Sequence, residues 1–239
     1  MSKQKSLSFF LPFRNEAGSL RATVDSILEA AHDCLGSFEI ILVDDGSTDE
    51  SPAIASQLTL DPHIRVITLD SHEGFGAAFL TGLKSAKFEY AMYLGADGDV
   101  YTEELREILT AWSGDRPLVQ HILNDHERTV FRFVLSRFYT LLVGTLSGLR
   151  LPYFNGFNIL PVETARQTDL NDFGFCTQAH ALIRLLPFSS PPQIVGTYGR
   201  FHDQTSQSLN RRNFAQAFRF LKSLALEPTG LIDGSRIVK

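Results

Sequence analysis

Cysteine is nearly missing from this chain: only Cys34 and Cys176 occur in 239 residues. They lack metal-ligand spacing and cannot make a disulfide framework, so the expected compartment is reducing and cytoplasmic. Long apolar runs are missing too. No charge-free stretch reaches the about 18–20 residues that a transmembrane helix needs. The apolar run near the N-terminus stops at Arg14, too short for a signal-peptide core. The expectation is a protein that is soluble or sits on a surface without spanning a membrane. Nor is there a basic excess: 22 Lys and Arg against 27 Asp and Glu leave a net charge of −5, which argues against nucleic acid as a partner. A P-loop, G-x-x-x-x-G-K-[ST], does not occur. "HEGFGAAFLTG" (72–82) offers Gly74 and Gly76, but position 79 is Phe and the motif follows a third strand rather than the first. That excludes a nicotinamide or flavin site. What survives is a glycine pair at a helix start, where backbone can approach a phosphate.

What is present suits one large α/β domain, or a core domain with a modest appendage. Hydrophobic residues make up 44% and include 19 Phe, enough for a sizeable core. Residues 1–112 alternate two patterns. "LSFFLPF" (7–13), "FEIILVDD" (38–45), "IRVITLD" (64–70) and "YAMYLGA" (90–96) read as strands. Helical patterns cover 16–33, 49–59 and 75–87, with Asn15 as N-cap of the first and Ser47 or Thr48 of the second. Near-continuous apolar strands separated by helices predict a parallel sheet covered on both faces. Residues 113–239 read less regularly. They give strands at "RPLVQHIL" and 192–199, a strand or turn at "FNGFNILP", and helices at 128–149, 174–187 and 210–226. There is no internal repeat, linker or low-complexity segment.

In open parallel sheets the ligand lies beyond the carboxyl ends of the strands. Those ends are Pro12 to Glu16, Asp44 to Asp49, Asp70 to Gly76 and Gly95 to Asp99, all polar or glycine-rich. Asp97 and Asp99 can share a divalent cation that neutralises a nucleotide diphosphate. They can equally be a turn residue and the cap of a helix starting near Thr102. "ILVDDGSTDES" is more specific: one of its adjacent carboxylates can fix a loop through backbone N–H groups while the other accepts from the imide of a base.

Taken together, "LPFRNEAGSL", "EIILVDDGSTDES", "GFGAAFLTGLKSA" and "MYLGADGD" resemble family 2 glycosyltransferases of the GT-A fold. Within that family the chain is similar to the dolichol-phosphate mannose synthase and polyprenyl-phosphate sugar transferase branch. The likeness spans about residues 7–210. It implies a mainly parallel central sheet with helices on both faces and C-terminal amphipathic helices. It further implies one domain over 1–239, with a nucleotide-binding half (1–112) and an acceptor-side half (113–239). Pro12, Arg14 and Glu16 match the loop under the nucleotide, with Arg14 where tyrosine is usual. Asp45, with Asp44 beside it, matches the base-reading pair, and Gly74 and Gly76 match the glycine-rich turn. Asp97 matches the last aspartate of the family's D-x-D, while Gly95 stands in place of the first. Asp99 falls where the branch often has a metal-reaching glutamine. Phe75 replaces a common lysine, Gln178 a common glutamate, and Arg200 matches an arginine that closes over the diphosphate.

The resemblance implies a metal-dependent inverting transfer of a hexose from a GDP- or UDP-linked sugar to a polyprenyl phosphate or other lipid-linked acceptor, with Mg²⁺ or Mn²⁺ as cofactor. A phosphate acceptor is already an ionised nucleophile and needs no general base. Arg132 and Arg137, with Gln178, are the candidate acceptor residues. A saccharide acceptor with a base such as Asp172, or a non-catalytic nucleotide-sugar-binding module, are the alternatives. Helix 210–226 pairs Arg211, Arg212, Arg219 and Lys222 with Phe214, Phe218, Phe220 and Leu221. Together with 128–149 it suits either the cytoplasmic membrane face, as a peripheral contact, or packing on the sheet.

Overall fold

The computed structural model describes residues 5–123, 130–198 and 211–226. Its first half runs β1 (Ser6–Phe13), α1 (Leu20–Cys34), β2 (Ser37–Asp44), α2 (Ser51–Leu58), β3 (Ile64–Thr68), α3 (Phe75–Ser85), β4 (Tyr90–Tyr93) and α4 (Thr102–Ala111). The rest is β5 (Leu118–Ile122), α5 (Val130–Ser147), β6 (Ile159–Pro161), α6 (Val162–Gln167), α7 (Thr177–Leu185), β7 (Gln193–Thr197) and α8 (Arg211–Leu226). Short 3-10 turns at Gly174–Cys176 and Leu186–Phe188 flank α7.

All seven strands join one sheet in the order β3-β2-β1-β4-β6-β5-β7. β1 pairs in parallel with β2 and β4, β2 with β3, and β5 with β7. The sheet is mainly parallel, as expected, and wholly so among β1–β4; β6 alone runs antiparallel, to β4 and β5. Three apolar residues carry no periodic signal, and an apolar run does not encode strand direction.

β1 shows why its sequence is apolar throughout. Leu7, Phe9, Leu11 and Phe13 face a layer built from α1, α2 and α4, which contribute Val24, Ile27, Leu58 and Ile108, with Trp112 just past α4. Phe10, pointing the other way, meets Ala78, Phe79 and Leu83 of α3 in a layer that also holds α6, α7 and part of α8. Alternation therefore sends both parities into core. Each fully buried Phe contributes about 1.5–3 kcal/mol. Ser8, also on the α3 side, donates to Glu39 Oε1 at 2.6 Å, and Arg65 holds the other oxygen at 2.9 Å. That pairing keeps a buried carboxylate below the usual range despite burial, through hydrogen bonds from Ser8, the Lys87 amide and Arg65.

Two expected caps are absent. α1 starts at Leu20 after Ser19, and Asn15 instead adopts a left-handed φ of 58°. Its Oδ1 accepts from Thr48 N at 2.7 Å, and its own N–H donates to Ser47 Oγ at 3.1 Å. α2 starts at Ser51 after Glu50, not at Ser47 or Thr48, and Asp49 Oδ1 accepts from Ser51 N at 2.9 Å. Each side chain expected to cap its own helix is committed to the neighbouring strand-end loop. α4 begins at Thr102 after Tyr101, whose own side chain makes no capping bond.

Candidate active site

The strand order places the loops after β3, β2, β1 and β4 side by side at the carboxyl edge. A cleft of about 410 Å³ opens there, lined by Pro12, Phe13, Arg14, Glu16, Asp45, His72, Phe75, Ala78, Tyr93, Gly95, Ala96 and Asp97. Since β2 and β4 flank β1 and strands lie about 4.8 Å apart, its two ends are separated by about 10 Å.

At the β2 end, both aspartates are buried and serve as loop anchors. Asp44 Oδ1 accepts from Ser47 N at 2.9 Å. Asp45 Oδ1 accepts from Glu73 N at 2.7 Å and Gly74 N at 3.1 Å; its Oδ2 takes Gly74 N at 3.0 Å and His72 Nδ1 at 2.8 Å. This closure needs two glycines with left-handed backbone, Gly46 (φ 70°) and Gly74 (φ 106°). A β-carbon on Gly46 would also lie 2.9 Å from His72 N. Gly74 N–H is thus committed to Asp45. The close approach at Gly76 is to the Asp172 carboxylate and Thr177 hydroxyl, which occupy the space of a side chain there.

In the middle, the loop after β1 is fastened to the loop after β2. Besides the Asn15 contacts, Glu16 N donates to Ser51 Oγ at 2.8 Å and Ala17 N to Asp49 Oδ2 at 3.2 Å. Ser19 Oγ lies 3.0 Å from Glu16 Oε2 and 2.7 Å from Ala96 O, tying this loop to the β4 end.

At the β4 end, Asp97 is exposed and faces the cleft. Glu16 feels it: its carboxyl is raised by burial, opposed by the Ser19 hydrogen bond, and raised further by Asp97 and Asp49. Tyr93 sits below, its phenol raised by burial and by Asp97. A β-carbon on Gly95 would lie 2.8 Å from Asp97 Oδ1, so the Asp97 carboxylate fills the space that a side chain at 95 would take. Asp99 is exposed beyond Gly98, whose left-handed φ of 89° interrupts the strand alternation. The lining of the cleft includes Asp97 but not Asp99. Among the described residues no group of three or more His, Cys, Asp and Glu is poised to hold a metal alone. Nucleotide sites seldom need one, because Mg²⁺ commonly takes one or two carboxylates with substrate phosphates and water. Asp97 facing Glu16 fits that pattern, with like charges that a cation would relieve.

Two expected acceptor residues, Gln178 and Arg137, and the alternative base, Asp172, are not among the residues lining the cleft. Gln178 is buried with its Nε2 donating to the Gly156 carbonyl. Arg137 is exposed on α5, over the Phe133 ring at 5.4 Å. Asp172 Oδ1 accepts from Gly174 N at 2.6 Å and lies 3.3 Å from Thr177 Oγ1. Arg200 and the side chain of Arg132 lie outside the described residues. His72 and Asn15 fell within the strand-end stretches read from the sequence but without a role in the site, and Ser19 was missed; their contacts with Asp45, Thr48 and Ala96 are distant in the chain. The local sign for His72 was its place in the Asp70 to Gly76 strand end.

Three kinds of likeness bear on this arrangement. The family model of glycosyl transferase family 2 matches residues 8–188. The undecaprenyl-phosphate 4-deoxy-4-formamido-L-arabinose transferase of Yersinia pestis is 28% identical over 146 residues, covering 60% of this chain and 45% of the relative. That of Pectobacterium atrosepticum is 27% identical over the same shares; the match therefore spans less than half the length of these relatives. Among solved structures, glucosyl-3-phosphoglycerate synthase from Mycobacterium tuberculosis with Mn²⁺, uridine-diphosphate and phosphoglyceric acid superposes with TM-score 0.65 at 17% identity, covering 93% of this chain and 78% of that one. S. aureus TarS with UDP-GlcNAc gives 0.62 at 16%, covering 94% and 67%. The fold is GT-A, as the strand-end motifs implied, and with 8–188 matched, the chain belongs to glycosyl transferase family 2.

Proposed function

We propose that this protein transfers a hexose, with inversion, from a nucleotide diphosphate sugar to a polyprenyl phosphate at a membrane surface. The observation that carries this reading is the cleft itself. Asp45 at one end is buried and hydrogen-bonded, Asp97 at the other is exposed, and about 10 Å across β1 separates them, a span that suits a nucleoside and its diphosphate. Mg²⁺ or Mn²⁺ on Asp97, with Asp99 as a second ligand, would supply charge neutralisation for the departing diphosphate. Pro12, Arg14 and Glu16 underlie the ribose, and Arg200 closes on the leaving group. Solved neighbours holding UDP favour uracil over guanine. The printed activity of the relatives favours a lipid phosphate acceptor.

The cleft carboxylates fit a phosphate acceptor. Asp45 is committed to its loop, and Glu16 and Asp97 face the diphosphate, so none stands free as a base for a hydroxyl. An ionised lipid phosphate attacks the anomeric carbon from the face opposite the leaving diphosphate without one.

A membrane contact is supported by α5. Val130, Val134, Phe138 and Leu141 are 79, 57, 61 and 69% exposed, at helical spacing along one stripe. Among the described residues no helix is long and apolar enough to cross a membrane, so the reading is peripheral attachment, at the cytoplasmic face.

Calorimetry with UDP and GDP, with and without Mn²⁺, tests the site, and transfer to undecaprenyl phosphate tests the reaction. Expected is metal-dependent binding that Asp97→Ala weakens at least about tenfold. Binding indifferent to both metal and Asp97, with no transfer, would point to a non-catalytic module instead.

A further inference from the structure

We infer that the Tyr93 phenol holds a sugar hydroxyl of the donor, seated between it and the Asp97 carboxylate. The inference rests on the nucleotide-sugar reading above and begins with how firmly the ring is placed. Tyr93 ends β4 and lines the cleft. Its ring is wedged among Phe10, Phe75 and Phe79, with centroids at 6.0, 5.4 and 5.5 Å and planes inclined at 51°, 81° and 54°. Three aromatic neighbours fix the ring, and with it the direction of the hydroxyl. That direction is toward position 95. The phenol oxygen lies 3.7 Å from where a β-carbon on Gly95 would stand, and Asp97 Oδ1 lies 2.8 Å from the same point. Among the described residues no hydrogen bond engages the Tyr93 hydroxyl, although the residue is half-buried. A phenol so placed ordinarily has a partner.

The two groups define what fits between them. A phenol is protonated at neutral pH and can donate, whereas an ionised carboxylate only accepts. One atom answers both if it is a hydroxyl oxygen, accepting from Tyr93 and donating to Asp97. A phosphate oxygen has no hydrogen to give and is repelled by Asp97 unless a cation stands between. In a nucleotide sugar the hydroxyls are carried by the ribose and the hexose, so one of these two supplies it. Asp97 has two oxygens, and taking a hydroxyl on Oδ1 leaves Oδ2 for the metal. Gly95 completes the arrangement, because a side chain there would stand between the phenol and the carboxylate.

Calorimetry with Mn²⁺ compares the wild type with Tyr93→Phe, which keeps the packed ring and loses only the hydroxyl. The probes are UDP and GDP, their 2′-deoxy and 3′-deoxy forms, UDP-glucose, UDP-galactose and GDP-mannose. If the ribose supplies the hydroxyl, Tyr93→Phe should bind the nucleoside diphosphate about three- to tenfold more weakly, while one deoxy form binds both proteins within about twofold. If the hexose supplies it, UDP and GDP should bind both proteins alike, and at least one hexose-linked nucleotide should lose about the same factor. In both cases the melting temperature and the Mn²⁺ concentration for half-maximal binding should stay at the wild-type values. Equal affinity of the two proteins for every probe overturns the assignment and leaves the transferase reading standing. So does a uniform loss across all probes, deoxy forms included, or a shifted Mn²⁺ requirement, since Tyr93 would then only support Asp97. If the wild type binds none of the nucleotides, both readings fall.

Discussion

Asp97 and Gly95 illustrate how one missing side chain sets the geometry of its neighbour. The Asp97 carboxylate folds over position 95 because nothing occupies it, and even a β-carbon there would come within 2.8 Å. Gly95→Ala should therefore displace Asp97 and weaken Mn²⁺-dependent nucleotide binding several-fold, with little change in melting temperature; calorimetry beside a thermal melt checks both. Asp99→Ala should have a smaller effect than Asp97→Ala in the same assay. Glu16 gives a pH signature. Its carboxyl is raised above its ordinary value, chiefly by burial, against the Ser19 hydrogen bond and with Asp97 and Asp49 adding to the rise. The charged form is thus disfavoured in the fold, a penalty absent below the unfolded pKa and present above the folded one. Glu16→Gln should raise the melting temperature at pH 7, not at pH 4, and Mn²⁺ with UDP should shrink the difference. At this scale the sequence was legible for position at a strand end, since Asp45 and Asp97 both line the cleft. It was not legible where the role depends on a partner far along the chain. His72 finds Asp45 across 27 positions, and no local pattern announces that.

Elements meet through polar contacts that fix the loops more than the helices. The loops after β1 and β2 are joined by Asn15–Thr48, Glu16–Ser51 and Ala17–Asp49. Asn15→Ala would lose the Thr48 contacts while forcing alanine into a left-handed φ of 58°. We expect about 1–2 kcal/mol of destabilisation by urea titration, with weaker nucleotide binding. Asn15→Gly, free of the backbone strain, should cost less. A second junction centres on Gln120 of β5, which is buried. Its Nε2 donates to Glu104 Oε1 of α4 and to Thr197 Oγ1 of β7, both at 2.8 Å, and its Oε1 accepts from Phe157 N at 2.7 Å. Gln120→Leu would leave these groups short of partners in the interior, for about 2–4 kcal/mol. The reading of "RPLVQHIL" as a strand located Gln120 but not its partners, since a polar residue within an apolar strand shows only that something must satisfy it. Helix positions were legible from periodicity, and their caps were not, because Asn15, Ser47 and Thr48 could satisfy either their own helix or the adjoining loop. Tertiary pairing took the second option.

Over the whole molecule, the alternation of apolar strands and helices in residues 1–112 was enough to place the cleft, because a parallel strand has only one end where a site can form. The second half resisted, since β6 is three residues long and antiparallel and α5 is apolar around most of its surface. That apolar surface makes a prediction for the molecule as a whole. The net charge of −5 opposes a general attraction to anionic lipid. The exposed Arg137 of α5 and Arg219 and Lys222 of α8 lie on helices that pack against each other and that also expose Phe138, Leu141 and Phe218. Attachment should therefore be oriented, with these helices inward, and driven mainly by apolar insertion. Because charges beyond about 8–10 Å are screened at physiological salt, raising the ionic strength should weaken binding to anionic vesicles only modestly. The double variant Val134→Asp, Phe138→Asp should lower co-sedimentation with phosphatidylglycerol vesicles at least about tenfold, since each change removes inserted apolar area and adds a repelled charge. Both positions are exposed and lie on α5, away from the cleft, so UDP binding in solution should stay at the wild-type level. Undiminished sedimentation of the double variant would place the stripe outside any membrane contact. Loss of UDP binding alongside would show instead that α5 supports the cleft from behind.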